Sequence, residues 1–134
     1  MRHTPLFILL AVAACSPDAY VEGAICPAPE VLAEFADGDD LDVVVIFDDC
    51  PPGCGGNTQV ECSVHREGNT IDIDATGYYH KRGGSCAAVC RPLTVTCTIA
   101  DLAPGTYDIR SGSHSLAVTI PSDDPPAYEP ICGF

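Results

Sequence analysis

A small, disulfide-rich antiparallel β-sandwich, with a closed barrel as the alternative, is the fold class this sequence predicts, and three observations predict it. Six short runs alternate apolar and polar residues or are rich in β-branched side chains, and no run carries a convincing 3.6-residue period. Turn-forming residues interrupt these runs at intervals of about eight to twelve residues, the spacing of all-β domains. Nine cysteines are spread through a chain of 134 residues, a length that suits one domain and one core.

The chain opens with a basic start, Met1-Arg2-His3, then an apolar stretch from Leu6 to Ala14 introduced by Pro5, then Cys15. This is the layout of an export signal, and the apolar stretch is too short to span a bilayer. Residues 1–14 are therefore read as a signal peptide. Within it, Val12-Ala13-Ala14-Cys15 resembles the lipobox of bacterial lipoproteins. The resemblance implies cleavage before Cys15 and acylation of that cysteine, so that the domain is held to a membrane by lipid. Ser16 in the following position implies passage to the outer membrane. The plainer alternative is an ordinary secretory signal in which Cys15 is incidental.

The cysteine count favours the first reading. If Cys15 is taken by lipid, 9 − 1 = 8 remain: Cys26, Cys50, Cys54, Cys62, Cys86, Cys90, Cys97 and Cys132. Eight is an even set, enough for four disulfides in the oxidising compartment to which a signal leads. Cys50 and Cys54, like Cys86 and Cys90, are spaced closely enough to share a zinc ion, but exported thiols are expected to oxidise. Neither pair has the Cys-x-x-Cys spacing of redox catalysts.

With six Lys and Arg against nineteen Asp and Glu, the formal charge is −13; loss of residues 1–14 removes Arg2 and gives 5 − 19 = −14. Such a field disfavours nucleic acid and anionic lipid and suits a cationic partner, whether a metal ion or a basic envelope protein, or simply colloidal solubility. Apolar residues make up 46% of the chain, too many for a disordered acidic tail.

Residues 15–25, polar and small at first, are read as lipid anchor and tether, and 26–134 as the disulfide-stapled domain. Pro27 to Phe35 permits either a short helix after Pro29 or an edge strand. Leu41 to Phe47, almost continuously apolar, suggests a central strand buried on both faces. Val60, Cys62 and Val64 alternate with polar residues and, after Glu67-Gly68-Asn69, so do Ile71, Ile73 and Ala75, which reads as a hairpin with one dry face. Leu93, Val95, Cys97 and Ile99 alternate with Thr94, Thr96 and Thr98. Two last strands, 106–110 and 115–120, join through Ser111-Gly112-Ser113, with Leu116, Val118 and Ile120 facing inward. The prolines from Pro121 onward end the sheet, and Cys132 is expected to tie the tail back by a disulfide.

Cys62 and Cys97 both fall on the inward phase of their strands, so a bridge between them across the core is expected. Leu102-Ala103-Pro104-Gly105-Thr106-Tyr107 resembles the turn into a late strand of bacterial immunoglobulin-like and transthyretin-like modules. That resemblance implies a tight corner and an inward tyrosine. With no tryptophan, and with Cys97 before this tyrosine, the chain departs from antibody-type domains.

Candidate chemistry is sparse. Asp37, Asp39, Asp40 and Asp42 cluster as calcium ligands do, but not at EF-hand spacing; a solvated loop is the simpler reading. His65, His80 and His114 are scattered, and Gly83-Gly84-Ser85-Cys86 lacks the pattern of a nucleophile elbow. No cofactor motif is present. The expectation is a non-enzymatic envelope module, binding or structural, tethered to a membrane. Three rivals are a calcium-dependent binding module, a protease inhibitor presenting the Cys50 to Cys54 loop, and a small hydrolase.

Overall fold

The computed structural model describes residues 18–49, 55–81 and 91–133. In chain order these form β1 (Asp18–Tyr20), β2 (Gly23–Pro27), α1 (Pro29–Ala33), β3 (Leu41–Phe47), β4 (Gly55–Glu67), β5 (Thr70–Lys81), β6 (Thr94–Ile99), β7 (Gly105–Ser111) and β8 (His114–Ile120), followed by a tail that ends in a 3-10 turn at Pro130–Cys132. Two sheets face each other. One has the order β2-β3-β6; in the other, β4 pairs along one edge of β5, while β1 and β7 share the opposite edge and β8 lies beyond β7. The molecule is a β-sandwich.

The strand alternation places the core where the sequence predicts it. Ile71, Ile73 and Ala75 on β5, Val95, Cys97 and Ile99 on β6, Tyr107 and Ile109 on β7, and Leu116, Val118 and Ile120 on β8 are all buried between the sheets. β4 and β5 form the expected hairpin, closed by a two-residue turn in which Gly68 adopts a φ of 61°. The face of β4 is less dry than expected: Val60 is exposed, and Cys62 and Val64 are half-buried, because β4 is the outermost strand of its sheet.

Three expectations are corrected. The tether does not extend to residue 25: β1 pairs with β5 from Asp18, and Ala24, Ile25 and Cys26 on β2 are buried, so the folded body starts by residue 18. Ala24 and Cys26 lie on the outward phase of β2, where the tail and the Cys26–Cys132 disulfide cover them. β3 is central but not buried on both faces. Leu41, Val43, Val45 and Phe47 are fully enclosed, whereas Val44 and Ile46 are half-buried and Asp42 is exposed. The sandwich is also not wholly antiparallel, since β5 and β7 pair in parallel. The chain leaves β5, crosses the opposite sheet as β6 and returns, and a strand reached through such a crossover runs in the original direction.

The ambiguous segment after β2 is helical. Pro29 sits in the first turn of α1, where its missing N–H costs nothing, and Leu32 and Phe35 close one end of the core. The turn at Leu102–Tyr107 makes the corner its resemblance implies. Tyr107 is buried and its hydroxyl donates to the Ala103 carbonyl at 2.7 Å. Arg66, from the end of β4, lies over the Tyr107 ring at 5.4 Å and donates to the Asp101 carbonyl, bridging the sheets at that end.

Candidate functional site

Titratable side chains converge at the opposite end, where β1 turns into β2, β3 ends and β8 begins. The β7–β8 hairpin turns through Gly112 and Ser113, Gly112 with a φ of 59°. A Cβ at Gly112 would collide with the Glu22 side chain, so glycine serves here both for its dihedral and for the close approach. Glu22 in turn accepts the Ser113 backbone N–H at 2.6 Å. The next residue, His114, reaches two carboxylates from different segments: Nε2 meets Asp48 at 2.8 Å and Nδ1 meets Glu129 at 2.6 Å.

The His114 side chain is only 15% exposed. Burial by itself lowers its pKa, but hydrogen bonds from Asp48 and Glu129, and then their charges, outweigh that and raise it above its ordinary 6.5. The imidazolium therefore donates through both ring nitrogens and clasps the end of β3, the start of β8 and the tail together. Beside it, Ala19, Tyr20, Val21, Glu22, Asp48 and Asp49 line a shallow cavity of about 150 Å³.

A histidine with two carboxylates is also the raw material of a hydrolase. Here the arrangement works against that use. With Asp48 and Glu129 on its two nitrogens, the ring in its protonated form offers no lone pair to a serine or a water.

The predicted calcium ligands are near one another in sequence but turned to separate tasks. Asp39 accepts the Ala36 N–H, Asp40 accepts the Asp101 N–H across the loop, and Asp42 accepts the Thr98 hydroxyl. Asp37 is exposed. The four are not gathered as a ligand set, and among the described residues no group of three or more His, Cys, Asp or Glu side chains is placed to hold a metal ion. The carboxylates serve as loop caps, with Asp101 at a φ of 53° and the Gly38 N–H donating to the Leu102 carbonyl.

Cys62 and Cys97 are bonded, Cα to Cα 5.7 Å, and join β4 of one sheet to β6 of the other. Cys26 and Cys132 are bonded, Cα to Cα 5.6 Å, and fix the tail to β2. Cys15, Cys50, Cys54, Cys86 and Cys90 lie outside the described residues, as does the expected inhibitor loop. His65 and His80 are exposed strand residues, His65 paired with Asp72 on the neighbouring strand. Sequence reasoning missed Glu22, which it assigned to the tether, and Glu129. It noted His114 without a partner; the 66-residue separation from Asp48 leaves no local signal.

Two facing sheets around one core define the class: a β-sandwich module. More narrowly, residues 43–121 match the model of the ORF11 beta-sandwich domain, and the chain belongs to that family. The match spans the interior of β3 to the residue after β8, so β1, β2, α1 and the tail lie outside it. Comparison with curated proteins and with solved structures finds no match.

Proposed function

We propose that the chain is an exported lipoprotein, acylated at Cys15, whose sandwich acts as a non-enzymatic binding or structural module of the bacterial envelope, toward an envelope protein or a cationic partner and more in keeping with the outer membrane. The observation that carries the non-enzymatic part is the saturation of His114: where acid and base groups meet, both ring nitrogens are spent on holding three segments together. The lipobox-like Val12-Ala13-Ala14-Cys15 supports the anchor, and the family's sandwich supports a module without an implied reaction.

The test is production of the full chain in a bacterium that processes lipoproteins, beside a Cys15→Ser variant. The wild type is expected to partition into detergent, to lack residues 1–14 and to gain acyl mass. Two or more chains, at about 0.8 kcal/mol per buried methylene, make such anchoring durable. The variant is expected in the aqueous phase. A water-soluble wild type with a free Cys15 thiol overturns the proposal.

A further inference from the structure

We propose that the open edge of β4 binds an extended cationic segment of an envelope protein, one that alternates basic and apolar residues and joins the larger sheet as an added strand. The inference deepens the binding-module reading above by naming the partner's chemistry, and it does not depend on lipidation of Cys15.

The edge itself is long and regular. β4 pairs with β5 without interruption from Thr58 to Glu67, opposite Tyr79 to Thr70, and among the described residues its other edge has no strand partner. That run extends over about 30 Å at about 3.3 Å per residue. An unpaired strand presents backbone N–H and C=O groups that a second extended chain can satisfy, and sheets that avoid this shorten, bulge or cover the edge. The register shift in β4 falls between Gly55 and Thr58, before the run begins.

The two faces of β4 specify what the edge accepts. On the inward phase Val60 is 42% exposed and Val64 is half-buried, so apolar surface remains for an added strand to cover. On the outward phase Glu61 and Glu67 are exposed, and beside them Asp74 and Asp72 of β5 are exposed opposite Ser63 and His65. Within this stretch of the two strands His65 is the only basic side chain on the outward face. Arg66 is turned inward over Tyr107, and Arg110, the neighbour of Asp72 on β7, is spent on Asp108. Unlike charges directly across a pair of strands attract and like charges repel. Lysine or arginine beside Glu61 and Glu67, with apolar residues in the alternate phase, is therefore the complementary pattern.

The other edges lack this combination. β6, beside β4 on the facing sheet, carries Thr94, Thr96 and Thr98 on its outward phase, and β8 carries Ser115, Ala117 and Thr119, so neither offers charge there. β1 is only three residues long. A second copy of this chain would bring another Glu61 and Glu67, on another strongly acidic body, to the same edge.

The probe is a short, end-blocked peptide that alternates lysine and valine, added to the purified full-length protein in nonionic detergent at neutral pH and low salt. A control peptide has the same composition with its lysines and valines in two blocks. Hydrogen exchange is expected to slow at alternate amides of β4 between Thr58 and Glu67 while β6 and β8 keep their rates, and the block peptide is expected to bind about tenfold more weakly. Glu61→Lys with Glu67→Lys, whose folding is checked by unchanged exchange in β5, is expected to weaken the lysine peptide about fivefold or more and to bind instead a peptide alternating glutamate and valine. Equal binding of the two lysine peptides, binding of neither, protection on β6 or β8 in place of β4, or affinity untouched by the charge reversal overturns the proposal. So does a wild type that sediments as a dimer with its β4 amides already protected, because a second copy then holds the edge. None of these results bears on acylation of Cys15, which mass alone decides.

Discussion

The two open flanks of the sandwich are closed by different means. Where β4 faces β6, the Cys62–Cys97 bond links the sheets directly, strand to strand. Where β2 faces β7 and β8, the chain uses its tail instead: the Ser122 N–H bonds to the Leu32 carbonyl, the Tyr128 hydroxyl to the Pro27 carbonyl, Glu129 to His114, and Cys132 to Cys26. The first closure lies inside the segment that matches the family, and the second draws on segments outside it. A flank bridged between two strands is secured by the sheets themselves. A flank covered by a tail is only as firm as the tail's own contacts, which makes it the place where conditions such as pH can act.

The largest expected effects come from removing each bridge by paired Cys→Ser replacement. The bonded residues are 106 apart for Cys26–Cys132 and 35 apart for Cys62–Cys97. Loop entropy then gives losses of about 5 and about 4 kcal/mol respectively. Denaturant unfolding of the processed protein checks the order. If loss of Cys26–Cys132 has the smaller effect, the tail detaches before the body unfolds, and the second flank is a cover rather than part of the cooperative fold.

A smaller effect should separate the flanks by pH. The folded pKa of His114 is raised, so its contribution is fully present below the unfolded value of about 6.5 and is lost as pH rises through the folded one. His114→Gln removes that dependence. Hydrogen exchange is expected to show faster opening of residues 126–132 in the variant than in the wild type at acidic pH, with the difference shrinking as pH rises. Amides of β4 and β6 are expected to stay unchanged. A pH response that appears equally on both flanks would show that His114 reports global stability instead of tail attachment.

These flanks were not equally legible in the sequence. The β4–β6 closure can be read locally, since Cys62 lies between Val60 and Val64, Cys97 lies between Val95 and Ile99, and a strand's period of two fixes which way each thiol points. The β2 flank cannot. Ala24 and Cys26 are buried on the outward phase by a tail a hundred residues away, so no alternation marks β2 as a strand, and its residues look like a tether. The parallel β5–β7 pair depends on a crossover through the other sheet, which strand patterns do not encode. His114, Asp48 and Glu129 come from three segments whose meeting only the assembled fold determines. The Asp37–Asp42 cluster shows the reverse case: its composition was plain, but which donor each carboxylate would meet was not.

The smallest expected effect is a gain. Ser111, the last residue of β7, lies in register with His114 and continues the inward phase of Tyr107 and Ile109. It is 1% exposed, and among the described residues its Oγ is the one buried side-chain oxygen or nitrogen without a hydrogen-bond partner. A hydroxyl taken from water and given no partner costs about 1 to 3 kcal/mol, whereas its replacement by a methyl hydrogen leaves little void and loses only a slight strand preference. Ser111→Ala is therefore expected to stabilise the protein by about 1 kcal/mol in denaturant unfolding. Ser111→Val adds volume to a filled interior and is expected to give back part or all of that gain. The substitution also sharpens the contrast between the flanks, because the relief should slow amide opening beside the tail-covered edge and leave β4 unaffected. Destabilisation by alanine would mean that a water molecule satisfies this hydroxyl, and that the tail-covered flank is hydrated within rather than dry.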